Sequence, residues 1–260
     1  MRLTVDVAKC VGCFNCLMAC KDEHVGNSWL PVTDEQQKHN QKWINPERHE
    51  RGVHPFTEIC FVTKMCFHCT EPSCAKKFPD AVIQRPDDIV LLKPEKAKGN
   101  RDLVEACPFG MISWNEERGI AQKCTMCAHL MDNGWQEPRC VQACPLRALS
   151  IDKQAKAEGA CAVTYSNLHM RDTVFIAGAF EYDDNGVKRA ATNAKVQLKQ
   201  DGNTVEVSCD FFGEFKLDRI PKNSGTYELV CTSDDFAETT KSINVGEESI
   251  CLDAVTLERV

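Results

Sequence analysis

The sequence predicts an α+β chain in two parts: a cysteine-rich domain built by duplication, then a small all-β sandwich or barrel. Three observations predict it. Twelve of the seventeen cysteines fall into short, regular spacings between Cys10 and Cys144. Those spacings recur at fixed shifts along the chain. From Thr173 onward only short β-like runs and turn signals remain.

Cys10, Cys13, Cys16 and Cys20 read C-x2-C-x2-C-x3-C. Cys66, Cys69 and Cys74 read C-x2-C-x4-C, and Cys107 stands alone before Pro108. Cys124 and Cys127 form a C-x2-C, and Cys140 and Cys144 lead into Pro145 as C-x3-C-P. A cuboidal iron–sulfur cluster takes a thiolate at each of its four corners. One short loop supplies three, and the fourth comes from elsewhere, because so short a loop cannot wrap the cube. In paired-cluster domains the fourth cysteine of such a run ligates the other cluster.

The duplication follows from two shifts. Moved by 87 residues, Cys20 lands on Cys107, Cys16 on Leu103, Cys13 on Asn100 and Cys10 on Ala97. Moved by 58, Cys66 and Cys69 land on Cys124 and Cys127. Phe78 before Pro79 then takes the place that Cys144 holds before Pro145. The sixteen ligand positions of four clusters are thus present with four replaced: Phe78, Ala97, Asn100 and Leu103. Under crossed ligation these four belong to a single cluster, so one site is lost cleanly and three stay complete. Cys10, Cys13, Cys16 and Cys144 are assigned to the first [4Fe-4S] cluster. Cys20, Cys124, Cys127 and Cys140 are assigned to the second, and Cys66, Cys69, Cys74 and Cys107 to the third. Phe78 and Leu103 are expected to fill the lost pocket as core, since an empty cage would leave a void. Structural zinc is the bland alternative, because C-x2-C pairs also build tetrahedral zinc sites. Zinc has little use for the triple run or for proline after the last cysteine.

Short apolar runs separate the motifs. Residues 81–84 and 89–92 read as one hairpin, and 111–114 and 120–123 as another. Lys9 to Lys21 and Cys107-Pro108 each lead into a helical turn, in the grammar of a bacterial ferredoxin. Residues 21–65 form a long polar insertion with Trp29, Trp43, Arg48, His49 and Arg51, the length of a functional loop. Gripping a larger partner and plain surface elaboration are equally open there. His24, His39, His54, His68 and His129 lie near the cysteine loops, where solvated or hydrogen-bonding roles are expected. Cys60, Cys161, Cys209, Cys231 and Cys251 fit no metal spacing and read as small apolar residues. The expected domains are 1–155, a linker at 156–172, and a β domain at 173–260. In the last, Gly213-Glu214-Phe215-Lys216-Leu217, Ile220-Pro221 and Gly225-Thr226-Tyr227-Glu228-Leu229 resemble transthyretin-like domains, with an immunoglobulin-like sandwich the neighbouring expectation.

A net charge of −7 argues against nucleic acid as a partner. No apolar run reaches transmembrane length, which leaves only peripheral membrane contact open. Many cysteines without an export signal at the start of the chain point to a reducing, cytoplasmic setting and to metal ligation over disulfides. The odd cysteine total, seventeen, also forbids complete disulfide pairing.

The stretches Cys10–Cys20, Cys66–Cys74, 105–110 (EACPFG), 122–127 (QKCTMC) and Arg139–Pro145 resemble the iron–sulfur subunits of the molybdopterin oxidoreductase family, that of dimethyl sulfoxide reductase. Most members hold four clusters, and this chain departs at Phe78, Ala97, Asn100 and Leu103. Three clusters with an added β domain make the chain similar, over nearly its whole length, to the transhydroxylases of anaerobic hydroxybenzene breakdown. That resemblance implies an electron-transfer subunit without catalytic residues of its own. It implies a heterodimer whose large catalytic subunit carries molybdenum, or tungsten, on molybdopterin guanine dinucleotide. A respiratory reductase or dehydrogenase subunit is the alternative within the family, and a zinc-stabilised interaction module the one outside it. The lost site is expected to stand where an intermediate cluster would, breaking the electron path.

Overall fold

The structure, a computed structural model, describes residues 1–157, 159–192 and 194–260. The chain divides into two compact units. The first comprises Met1–Arg48 and Phe61–Asn167, the second His49–Cys60 and Leu168–Val260.

In the first unit β1 (Arg2–Asp6) alternates inward Leu3 and Val5 with outward polar residues, the period of a half-buried strand. Then come α1 (Asn15–His24), β2 (Ile44–Arg51) and β3 (Glu58–Met65), whose joining ends within His49–Cys60 count with the second unit, and α2 (Ser73–Lys77), β4 (Val82–Gln84), β5 (Val90–Leu92) and α3 (Pro94–Ala97). A 3-10 helix over Arg101–Ala106 leads to β6 (Ser113–Asn115), β7 (Ile120–Gln122), α4 (Ala128–Asp132), α5 (Arg139–Gln142), β8 (Leu149–Asp152) and β9 (Val163–Ser166). The two expected hairpins form, with Val82 opposite Leu92 and Ser113 opposite Gln122. The expected helical turn at Cys107-Pro108 instead precedes the cysteine, as the 3-10 helix.

Two further features differ from the sequence expectation. Residues 163–166, placed in a linker, form β9 and pair in parallel with β1, Leu3 opposite Val163. With β8 antiparallel on its other side, β1 is the centre of a three-stranded sheet. A four-residue strand offers too little alternation to be read in sequence, and its pairing partner lies some 160 residues away. The insertion at 21–65 is also not one loop. It finishes α1 and supplies the paired strands β2 and β3. Trp43 is buried against His24 at 4.8 Å, and Trp29 stacks on His129 at 4.4 Å.

The second unit begins with α6 (His169–Asp172) and β10 (Thr173–Asp184). It continues with β11 (Val187–Ala190), β12 (Lys195–Gln200), β13 (Asn203–Ser208), β14 (Glu214–Pro221), β15 (Gly225–Thr232), β16 (Thr239–Val245), β17 (Ile250–Cys251) and β18 (Val255–Leu257). One sheet is built on β10, with β11 and β14 antiparallel and β17 and β18 parallel to it; the other runs β13-β12-β15-β16. Val174, Ile176, Phe215 and Leu217 of the first share one buried cluster with Val196, Leu198, Leu229 and Ile243 of the second. The unit is therefore β-rich, with two sheets closing over one core.

Candidate metal centres

All twelve predicted ligand cysteines lie in the first unit, and several are part of its core: Cys16, Cys20, Cys66, Cys124 and Cys140 are buried among Leu3, Val5, Met65, Ile89 and Leu149. Three groups form. Cys10, Cys13, Cys16 and Cys144 line one pocket, with Pro145 and Thr63. Cys66, Cys69, Cys74 and Cys107 line another, with Pro108 and Lys123. Cys20, Cys124, Cys127 and Cys140 are all buried and act on one another: the Cys140 thiol is pushed well above its ordinary value by burial and then by Cys127, Cys124 and Cys20.

Local backbone explains how short loops present several sulfurs. In each C-x2-C arm the residue before the second cysteine is left-handed: Gly12 at φ 66°, His68 at 46° and Met126 at 54°. A left-handed residue reverses the local backbone and points successive amides the same way, which makes a nest for negative charge. Side chains normally resist this conformation, and its repeated use on non-glycine residues marks a constrained site. Backbone N–H groups already donate to sulfur: Met111 to Cys107 at 3.4 Å, Ala148 to Cys144 at 3.2 Å, and Met126 to Cys124 at 3.4 Å. The first two share a four-residue offset after a Cys-Pro pair, a repeat at the level of single hydrogen bonds.

The donor set fits iron–sulfur clusters. Burial, with repulsion from neighbouring sulfurs, pushes Cys16 and Cys127 up to about 12 and Cys69 and Cys124 up to about 11. Thiols so crowded resist ionising together unless cationic iron sits among them, and ligation deprotonates a thiol outright. Thr125 Oγ1 and His68 Nε2, both inside C-x2-C loops, are buried without a hydrogen-bond partner, as donors awaiting an acceptor would be. Among the described residues, no three His, Cys, Asp or Glu side chains gather as tightly as one metal ion requires.

The groups lie in series because single elements carry members of two. α1 holds Cys16 for the first and Cys20 for the second, one turn apart. Cys66 of the third group is near enough to raise the Cys124 thiol of the second. Cys74 and Phe78 are linked across α2 by the hydrogen bond from the Phe78 amide to the Cys74 carbonyl. Leu103 sits on the 3-10 helix that ends at Cys107. Phe78, Ala97 and Leu103 pack in one apolar cluster with Cys74 and Cys107, while Asn100 caps the 3-10 helix outside it. The four replaced positions thus include three that adjoin cysteines of the third group.

Lys123 escaped sequence reasoning: it is buried and donates to Cys66 Sγ at 3.4 Å. Of the two roles expected for His24, His68 and His129, the hydrogen-bonding one is found, and all three are buried: His24 Nδ1 bonds the Cys20 carbonyl, His68 Nδ1 accepts from the Val90 amide, and His129 Nε2 bonds Glu23. Cys161 bridges to Cys69 in the backbone, but its thiol is spent on the Val163 carbonyl at 3.2 Å. Adjacency to a motif was the available signal for Lys123 and His68, and it does not separate a buried flank from an exposed one.

Residues 57–154 match the 4Fe-4S dicluster domain. The chain is 36% identical to the pyrogallol hydroxytransferase small subunit of Pelobacter acidigallici, over 94% of this chain and 97% of that one. It is 31% identical to the B component of anaerobic dimethyl sulfoxide reductase from Escherichia coli, over 60% of this chain and 76% of that one. The B component of sulfite dehydrogenase from Allochromatium vinosum is 31% identical over 57% and 66% of the two chains. Cysteine groups of this geometry, with a matching domain family, define an iron–sulfur protein. More narrowly, the protein belongs to the iron–sulfur subunits of the molybdopterin oxidoreductase family, alongside the pyrogallol hydroxytransferase small subunit. Among the described residues no helix is long and apolar enough to cross a membrane.

Proposed function

We propose that this chain is the electron-transfer subunit of a heterodimeric molybdopterin enzyme that converts pyrogallol to phloroglucinol. One observation carries the choice of reaction. The dimethyl sulfoxide reductase match spans 60% of the chain, whereas the pyrogallol hydroxytransferase match spans 94% and so takes in the second unit. The large partner would hold molybdenum or tungsten on molybdopterin guanine dinucleotide and carry the substrate chemistry.

Three [4Fe-4S] clusters, each storing or passing one electron, would be held by the three cysteine groups. Cys10, Cys13, Cys16 and Cys144 form the first set, Cys20, Cys124, Cys127 and Cys140 the second, and Cys66, Cys69, Cys74 and Cys107 the third. This chain's part is to fix and tune them. The amides of Met111, Ala148 and Met126 donate to ligand sulfur and favour the more negative state. Burial of the second set keeps water from its sulfurs. The plug of Phe78, Ala97 and Leu103 closes the far end, so electrons enter and leave by the same route. That suits a hydroxyl transfer with no net redox change, in which clusters set the oxidation state of the partner's metal.

Anaerobic purification of the complex tests this directly. The expected result is about twelve iron atoms with matching sulfide per chain and formation of phloroglucinol from pyrogallol. Reduction of a sulfoxide or oxyanion with no hydroxyl transfer would overturn the reaction in favour of a respiratory role. Zinc in place of iron and sulfide would overturn the cluster reading itself.

A further inference from the structure

Among the described residues Lys123 is the one buried lysine, and it stands where the second and third cysteine groups meet. A lysine ammonium has three N–H donors and no acceptor. Here the three meet three acceptors: the Val90 carbonyl, the Cys124 carbonyl at 3.0 Å and Cys66 Sγ at 3.4 Å. Cys66 belongs to the third group and Cys124 to the second. A buried cation is costly unless anions or aligned dipoles surround it, and two thiolate-ligated clusters are the anions this position offers.

His68 receives the Val90 amide at Nδ1, and the Val90 carbonyl accepts from Lys123, so one strand residue joins the two buried side chains. Lys123 contacts one residue of each set, Cys66 through its sulfur and Cys124 through its carbonyl. Its charge therefore stands within hydrogen-bond distance of both sets.

We propose that Lys123 is a positioning residue shared by two clusters, whose single positive charge raises the reduction potential of both and leaves the first cluster untouched. Reduction adds one electron to a cluster and makes it more negative, and an adjacent positive charge stabilises that state. Electrons arriving from the neighbouring redox centre then settle in the inner two clusters. The inference rests on the three-cluster reading above.

The test is a potentiometric titration of the anaerobic complex with dithionite, followed by electron paramagnetic resonance. In Lys123→Met, which keeps length and removes charge, iron content should hold, two of three reduction steps should move to lower potential, and the third should stay. Lys123→Arg should keep all three near the parent values. The idea fails if the Met variant retains its iron with all steps unmoved, or with one step or all three moved alike. Should the Met variant lose iron, Lys123→Arg decides: parent-like potentials support the charge, whereas iron loss there too shows that shape alone matters. A parent complex with far fewer than about twelve iron atoms would sink the three-cluster reading instead, and is seen before any variant is made.

Discussion

Gly12 shows how much a single residue can hold. Its φ of +66° suits glycine, and a Cβ there would lie 2.4 Å from the Phe61 ring. Gly12→Ala meets both penalties within the first cysteine arm. The backbone alone costs roughly 1 kcal/mol, and the ring must also move. The expected outcome is loss of about four iron atoms from the first site with the other two retained, read by iron analysis and resonance spectra. A full iron complement in that variant would mean that the loop tolerates the displacement. The constraint at Gly12 is visible in sequence because glycine advertises it. His68 and Met126 adopt the same turn with side chains attached, and nothing in their identity announces it.

At the scale of elements, helices shared between groups govern what substitutions can do. Cys107 closes the third set from the end of the 3-10 helix, so Cys107→Ala should strip that set and spare the others. Phe78→Cys should build nothing, because Ala97, Asn100 and Leu103 still offer no thiolate. A fourth cluster signal in either the parent or that variant would refute the plugged site. In the second unit, Arg51 is held between Glu58 and Asp218, and Lys216 also bonds Glu58. Burial is the largest single influence and would raise both carboxyls, but hydrogen bonds from Lys216 and Arg51 with their charges together outweigh it at Glu58, and bonds from Arg51 and the Arg219 amide with the charges of Arg51 and Lys216 together outweigh it at Asp218. Both therefore titrate below their ordinary values. A depressed carboxyl stabilises fully above its unfolded pKa, and that contribution disappears as pH falls through the folded value. The unit should thus weaken once pH drops below about 4. Arg51→Met should cost roughly 2 kcal/mol at neutral pH, less than a fully buried pair because the carboxylates are about one-third exposed. It should also flatten the acid dependence. Urea titrations followed by circular dichroism at pH 7 and pH 3.5 would check both, and an unchanged acid profile would remove the network from the account.

For the whole molecule, the cysteines of the first unit are core residues as well as ligands, so removing iron removes the centre of that core. The second unit holds its own cluster of Val174, Ile176, Leu198 and Leu229 and contains none of the twelve. Acid or chelator treatment should therefore melt the first unit while the β-sheet signal persists, giving two calorimetric transitions where one disappears with the iron. A single transition that vanishes as a whole would show that the units depend on each other for folding.

Cysteine spacing alone determined the chemistry, because iron–sulfur ligation demands thiolates at set intervals and few other functions do. The two shifts, 87 and 58, also mark four positions where cysteine is replaced, which crossed ligation would assign to one cube. Tertiary structure decided the rest. It gathered Phe78, Ala97 and Leu103 into one apolar cluster with Cys74 and Cys107, since neighbourhood depends on folding and not on spacing. It folded 163–166 into a sheet with the first strand, a pairing whose partner is remote in sequence. It buried Lys123 between two cysteine groups, because two of its acceptors, the Val90 carbonyl and Cys66 Sγ, come from segments that only folding brings within reach of the ammonium.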